Sequence, residues 1–92
     1  MTLRFHTDPE TGLPHIYGHG VREGEVYEVL DSPGAVIHTR RQTQMVLGQT
    51  RAGRYLKVVC VPDEEGDGVF VVTAYTLRGN ELAAYRRRRR RQ

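Results

Sequence analysis

The chain has 92 residues, 38% of them hydrophobic, and its 14 Lys+Arg against 11 Asp+Glu leave a net charge of +3. That size suits one domain with a two-layer core and excludes a large internal substrate cavity. Positions 86–91 are all arginine, and without those six the body holds eight cations against 11 acids, a net of −3.

The positive charge is therefore a concentrated C-terminal handle on a mildly acidic body. Such a block attracts phosphate backbones, anionic lipid or an acidic protein, or else it is a solvated helix end. No run approaches the roughly 18 apolar residues of a membrane span, and the start, Met1-Thr2-Leu3-Arg4-Phe5-His6, does not read as a signal peptide. The chain is expected to be soluble and cytoplasmic, with no membrane partner. Cys60, the single cysteine, lies in Val58-Val59-Cys60-Val61, where a small buried core residue is expected rather than a nucleophile.

In chain order, residues 1–13 carry the turn cluster Asp8-Pro9-Glu10-Thr11-Gly12 and are expected to be irregular or edge-forming. A short helical stretch follows at 15–19, interrupted by Gly18 and Gly20. From 22 to about 31, Val26, Val29 and Leu30 repeat at helical spacing, while Glu23, Glu25 and Glu28 form an acidic outer side toward the positive dipole end. Ser32-Pro33-Gly34 stops that helix.

The period then falls to two. Strands are predicted over 35–39, 43–49, 54–61 and 69–75, with a Thr50-Arg51-Ala52-Gly53 turn and an acidic loop over 62–68. Gly79-Asn80 starts a closing helix with Asn80 as N-cap, in which Leu82, Ala83 and Tyr85 pack on the sheet. The fold class is α+β: an N-terminal helix or helix pair, an antiparallel meander of three to four strands, and a C-terminal helix. One domain is expected, with an α+β core over 14–85 and an arginine-rich tail over 86–92.

His15 and His19 stand at i, i+4, a spacing able to hold zinc on a continuous helix. No third ligand is evident, so surface or hydrogen-bonded histidines are the competing reading, and no metal or cofactor is assigned. Phosphate-cradling and nucleophile-elbow motifs do not occur. What remains suits RNA: Arg40, Arg41, Arg51, Arg54, Lys57, Tyr55, Tyr75, Arg78 and Tyr85. Strand alternation puts Arg54, Leu56, Val58 and Cys60 on one face and Tyr55, Lys57, Val59 and Val61 on the other. If the second face is open, Tyr55 and Lys57 form a cation-aromatic pair suited to stacking a base and holding a phosphate; ordinary sheet decoration is the alternative. A metal-independent ribonuclease needs only to align the 2′-hydroxyl, stabilise the phosphorane and move two protons. His19, His15, Glu28 and Tyr75 are the proton-handling candidates.

Three segments carry a resemblance. His19-Gly20-Val21 with Glu25-Val26 and Glu28-Val29-Leu30 is similar to the opening helix of the BrnT-like toxins. Gly48-Gln49-Thr50-Arg51-Ala52-Gly53-Arg54-Tyr55-Leu56-Lys57-Val58 resembles their central hairpin, and Val71-Val72-Thr73-Ala74 with Glu81 and Tyr85-Arg86 resembles their last strand and closing helix. The resemblance spans about 14–88 and departs at Tyr75, where family members often carry arginine. It implies a RelE-type fold and a type II toxin-antitoxin endoribonuclease that blocks translation. Its implied partners are a cognate antitoxin, mRNA on or off the ribosome, and promoter DNA bound by the pair. In that setting Arg54, Lys57 and Arg78 neutralise the scissile phosphate and His19 or Tyr75 handles protons. Arg41, Tyr55 and the tail residues Arg86, Arg87, Arg88, Arg89, Arg90 and Arg91 bind RNA. The alternative is a non-catalytic protein or nucleic-acid interaction module on the same fold.

Overall fold

A computed structural model describes residues 2–90. In chain order it contains β1 (Leu3–Phe5), a 3-10 helix (His15–His19), α1 (Glu23–Asp31), β2 (Ala35–His38), a 3-10 turn (Arg40–Gln42), β3 (Gln44–Gln49), β4 (Tyr55–Pro62), β5 (Val69–Thr76) and α2 (Gly79–Arg90). The class is α+β, with a five-stranded mixed sheet in the order β1-β5-β4-β3-β2. Strands β2 to β5 pair antiparallel with their sequence neighbours, and β1 joins the free edge of β5 in parallel.

The expected sheet of three to four antiparallel strands thus needs correction: a fifth strand is present and the sheet is mixed. That strand is three residues long, inside a segment rich in turn formers, and its partner lies 66 positions away (Leu3 opposite Val69). No local pattern announces such a pairing. Gly68 makes room for it, since a Cβ there would collide with the Thr2 carbonyl that accepts the Val69 N–H at 2.9 Å.

One face of the sheet holds the main core. Val46, Leu56, Val58, Cys60, Val71 and Ala74 meet Ile16 and Val21 of the N-terminal segment and Val26 and Val29 of α1. Each such valine, leucine or isoleucine contributes about 1.5–3 kcal/mol by leaving water. In β5 the alternation is broken: Val59 pairs with Thr73 but Cys60 with Val71, so Val72 is an extra, exposed residue. This bulge lets Val71 and Ala74 both reach the core, three positions apart in a strand.

The opposite face carries Tyr55, Lys57, Val59 and Val61, all half-buried, as the alternation of β4 requires. Here α2 lies across one end, where Tyr85, Leu82 and Leu77 pack on Leu47, Tyr55, Ala35 and Ile37. Helices therefore sit on both faces, and Tyr55 is covered rather than open. The closing helix begins at Gly79, one residue ahead of the expected Asn80 cap, and Ala83 points to solvent.

Candidate functional site

Three histidines form a ladder at the N-terminal side of the sheet. The His15 N–H donates to the His6 carbonyl at 2.8 Å, while Asp8 Oδ1 lies 2.8 Å from His15 Nδ1. The rings of His6 and His15 are 5.6 Å apart, and those of His15 and His19 are 5.0 Å apart, edge to face. Ile16, buried from the start of the 3-10 helix, anchors that turn to the core and leaves His19 exposed at its end. His19 in turn faces Tyr75 of β5 across 6.1 Å.

Tyr75 is directly opposite Lys57 in the β4–β5 pairing, and the Lys57 ammonium sits over the Tyr75 ring at 5.6 Å. Cross-strand neighbours on one face approach closely enough for this contact. Lys57 is also hydrogen-bonded to Glu81 of α2 at 2.7 Å, with only 13% of its side chain exposed. That carboxylate raises the lysine above its ordinary 10.5, outweighing the opposing effect of burial. Lys57 is thus a fixed cation already paired with an anion.

Arg54 is more heavily engaged. Its Nη1 donates to the Gly20 carbonyl at 2.7 Å and to both Glu25 oxygens at 3.0 and 3.2 Å. Nη2 and Nε both donate to Thr76 Oγ1, at 2.7 and 3.1 Å. One guanidinium thus joins the end of the 3-10 helix, the first turn of α1 and the end of β5. Glu25 itself caps α1 by accepting the Arg22 N–H at 3.0 Å, and its charge suits the positive end of the helix dipole. Arg54 is therefore a strut between elements, with its fork turned inward.

An open cleft of about 590 Å³ remains, lined by Gly18, His19, Tyr75, Thr76 and Arg78. Arg78 is exposed and makes no ion pair among the described residues. The structure therefore gathers His19, Tyr75 and Arg78 around one opening, with Lys57 over the tyrosine ring and Arg54 behind Thr76. Such a site offers an imidazole and a phenol for proton transfer and a free guanidinium for an anion.

The other expected RNA contacts fall elsewhere. Arg41 sits in the β2–β3 turn with a left-handed φ of 57°. It lies beyond the His38–Gln44 pair, at the opposite end of the strands from Tyr75 and Thr76, and does not line the cleft. Tyr55 packs edge to face on Tyr85 at 5.9 Å, with the Arg86 guanidinium 6.0 Å over its ring. Its aromatic-cation partner is thus Arg86, and Lys57 takes Tyr75 instead. Arg87, Arg88 and Arg89 are exposed on α2, which continues through Arg90, whereas Arg91 lies outside the described residues. Glu28 accepts the Arg51 backbone N–H at 2.9 Å and does not line the cleft. Sequence reasoning missed Glu81 and Thr76, which hold the two cations, and the approach of His6 to His15. A single carboxylate or hydroxyl carries no signal of a partner 22 to 24 positions away.

Among the described residues, no group of three or more His, Cys, Asp or Glu is arranged to hold a metal ion. No helix there is long and apolar enough to cross a membrane. Residues 18–76 match the family described as a domain of unknown function (DUF4258). No curated protein and no solved structure matches the chain.

Proposed function

The chain belongs to the DUF4258 family, and from the geometry of its cleft together with its resemblance to the BrnT-like toxins we propose that it is a toxin-like RNA-binding domain and a metal-independent endoribonuclease of a bacterial type II toxin-antitoxin pair. The observation that carries this reading is the convergence of His19 from the 3-10 helix, Tyr75 from the end of β5 and Arg78 from the link that follows it on one open cleft. The earlier resemblance to BrnT-like, RelE-type toxins supplies the reaction class. An RNA strand in the cleft presents its 2′-hydroxyl to its own phosphorus; His19 takes the hydroxyl proton, Arg78 neutralises the phosphorane, and Tyr75 protonates the departing 5′-oxygen. Products are a 2′,3′-cyclic phosphate and a free 5′-hydroxyl, with no metal required. The Lys57 ammonium lies over the Tyr75 ring at 5.6 Å and holds that ring at the cleft wall. Partners on this reading are mRNA, a co-encoded antitoxin that masks the cleft, and promoter DNA bound by the complex, all in the cytoplasm.

The test is incubation of purified protein with end-labelled structured RNA in EDTA. Wild type is expected to cut and leave cyclic phosphate ends, with His19→Ala and Arg78→Ala each slowing cleavage by about 100-fold or more. Intact RNA with the wild-type protein, or undiminished cutting by His19→Ala, overturns the catalytic assignment.

A second reading has its own support. Arg54 and Lys57, two of the three cations expected at the phosphate, are both paired with carboxylates of the chain itself. A non-catalytic interaction module would look like this, and RNA binding without cleavage in the same assay selects it.

A further inference from the structure

A second depression of about 590 Å³ lies on the β2–β3 side of α2, away from the β5 cleft. It is lined by the loop over 32–34 with Gln49, Tyr55, Tyr85, Arg86 and Arg89, and no acidic residue contributes to its wall. Its floor is rigid. Tyr85 is buried, and its hydroxyl fills the space that a Cβ on Gly34 would need. Tyr55 rests edge to face on Tyr85, and the Arg86 guanidinium lies over Tyr55. Arg86 thus sits at the outer end of a series that runs from Gly34 through Tyr85 to Tyr55. Arg89 follows one turn later, at i+3, so both guanidinium groups share one helix face above the opening. Arg87 and Arg88 are rotated away by about 100° and 200° and do not line it.

An arginine stacked on an aromatic keeps its in-plane N–H edge free for a planar, two-point contact with phosphate oxygens. Neither Arg86 nor Arg89 has a carboxylate partner among the described residues. We infer that this depression is a phosphate-binding subsite for single-stranded RNA, with Arg86 and Arg89 as phosphate ligands and Tyr55 as the platform that orients Arg86. The inference rests on the RNA-binding half of the reading above and is independent of catalysis. It divides the arginine run into two residues that hold a backbone in a defined place and others that supply diffuse charge.

The experiment removes equal charge from two places. Fluorescence anisotropy with a labelled 2′-O-methyl RNA, which lacks the internal nucleophile, compares wild type with Arg86→Gln/Arg89→Gln and with Arg87→Gln/Arg88→Gln. The first pair is expected to weaken binding about 10-fold or more and to reduce the salt slope by roughly 1.4, as for two lost phosphate contacts on a single strand. The second pair is expected to cost less than about threefold. Tyr55→Leu, which changes no charge, is expected to weaken binding several-fold while circular dichroism reports a folded protein. Equal losses from the two arginine pairs would mean diffuse attraction and overturn the subsite while leaving the RNA reading intact. A wild-type protein that binds no RNA overturns both.

Discussion

Replacing Arg54 with methionine keeps an apolar stem of similar reach and removes the guanidinium. The wild-type group makes contacts to Gly20, Glu25 and Thr76 at 2.7 to 3.0 Å, with the Arg54 and Glu25 side chains 32% and 22% exposed. The hydrogen bonds to Gly20 and Thr76 contribute about 1 kcal/mol each, the typical net value for an intramolecular hydrogen bond. The ion pair, partly open to water, adds no more than about 1 kcal/mol. The expected loss is therefore about 2–3 kcal/mol, which for a domain of this size lowers Tm by roughly 10–20 °C. Urea unfolding followed by circular dichroism measures it, and the midpoint should fall without a change in slope. Arg54→Lys keeps the charge but not the fork, and is expected to recover only about a third of the loss. In a double-mutant cycle with Glu25→Gln, a coupling energy of at least about 0.5 kcal/mol is expected. A loss under about 0.5 kcal/mol for Arg54→Met would refute the view of this residue as a strut. The same result matters for function. Lost activity in an Arg54 variant reports on the cleft only when it is measured where the variant remains folded.

Gly34→Ala places a methyl group where the Tyr85 hydroxyl sits, and the displaced ring is expected to cost about 1–3 kcal/mol, read as a lower urea midpoint; an unchanged midpoint would place Tyr85 elsewhere. Burial pushes the Cys60 thiol above its ordinary 9.0, so at pH 8 a thiol reagent is expected to titrate it only after denaturant is added. Rapid labelling of the native protein contradicts this packing. Because the folded pKa of Lys57 is raised above 10.5, its contribution to stability is fully present below that value and declines as pH rises through the folded pKa. Between neutral pH and pH 11, Lys57→Met is therefore expected to lose less stability than wild type in urea titrations, and parallel curves for the two would remove the Glu81 pairing from the account. Leu56→Ala, at a fully buried position in the centre of β4, is expected to cost about 2–5 kcal/mol; a loss under 1 kcal/mol would mean that the core closes over the gap.

Much of this molecule is written in local pattern. The spacing of Val26, Val29 and Leu30 specifies a helix with one apolar stripe, and Ser32-Pro33-Gly34 ends it because proline and glycine do not continue a helix. Alternation through 55–61 determines which side chains of β4 face the core, since the period of two permits only one assignment once Leu56, Val58 and Cys60 are inside. The residue types of the cleft, His19, Tyr75 and Arg78, are likewise legible as chemistry. What the residue types do there depends on neighbours that pattern cannot supply. Strand β1 exists because β5 offers a free edge, and Val72 bulges because the β4–β5 register shifts. Arg54 and Lys57 read in sequence as free cations, yet Glu25 and Glu81 lie 29 and 24 positions away and neutralise both. Tyr55 reads as an open stacking platform, and α2 covers it with Tyr85 and Arg86. Sequence by itself determined α1, α2, strands β2 to β5, the faces of β4 and the inventory of charge, because these follow from backbone geometry and apolar periodicity over a few residues. Only the tertiary structure decided which charges are spent inside the fold and which remain for a ligand, because pairing depends on distances between segments that no local pattern encodes.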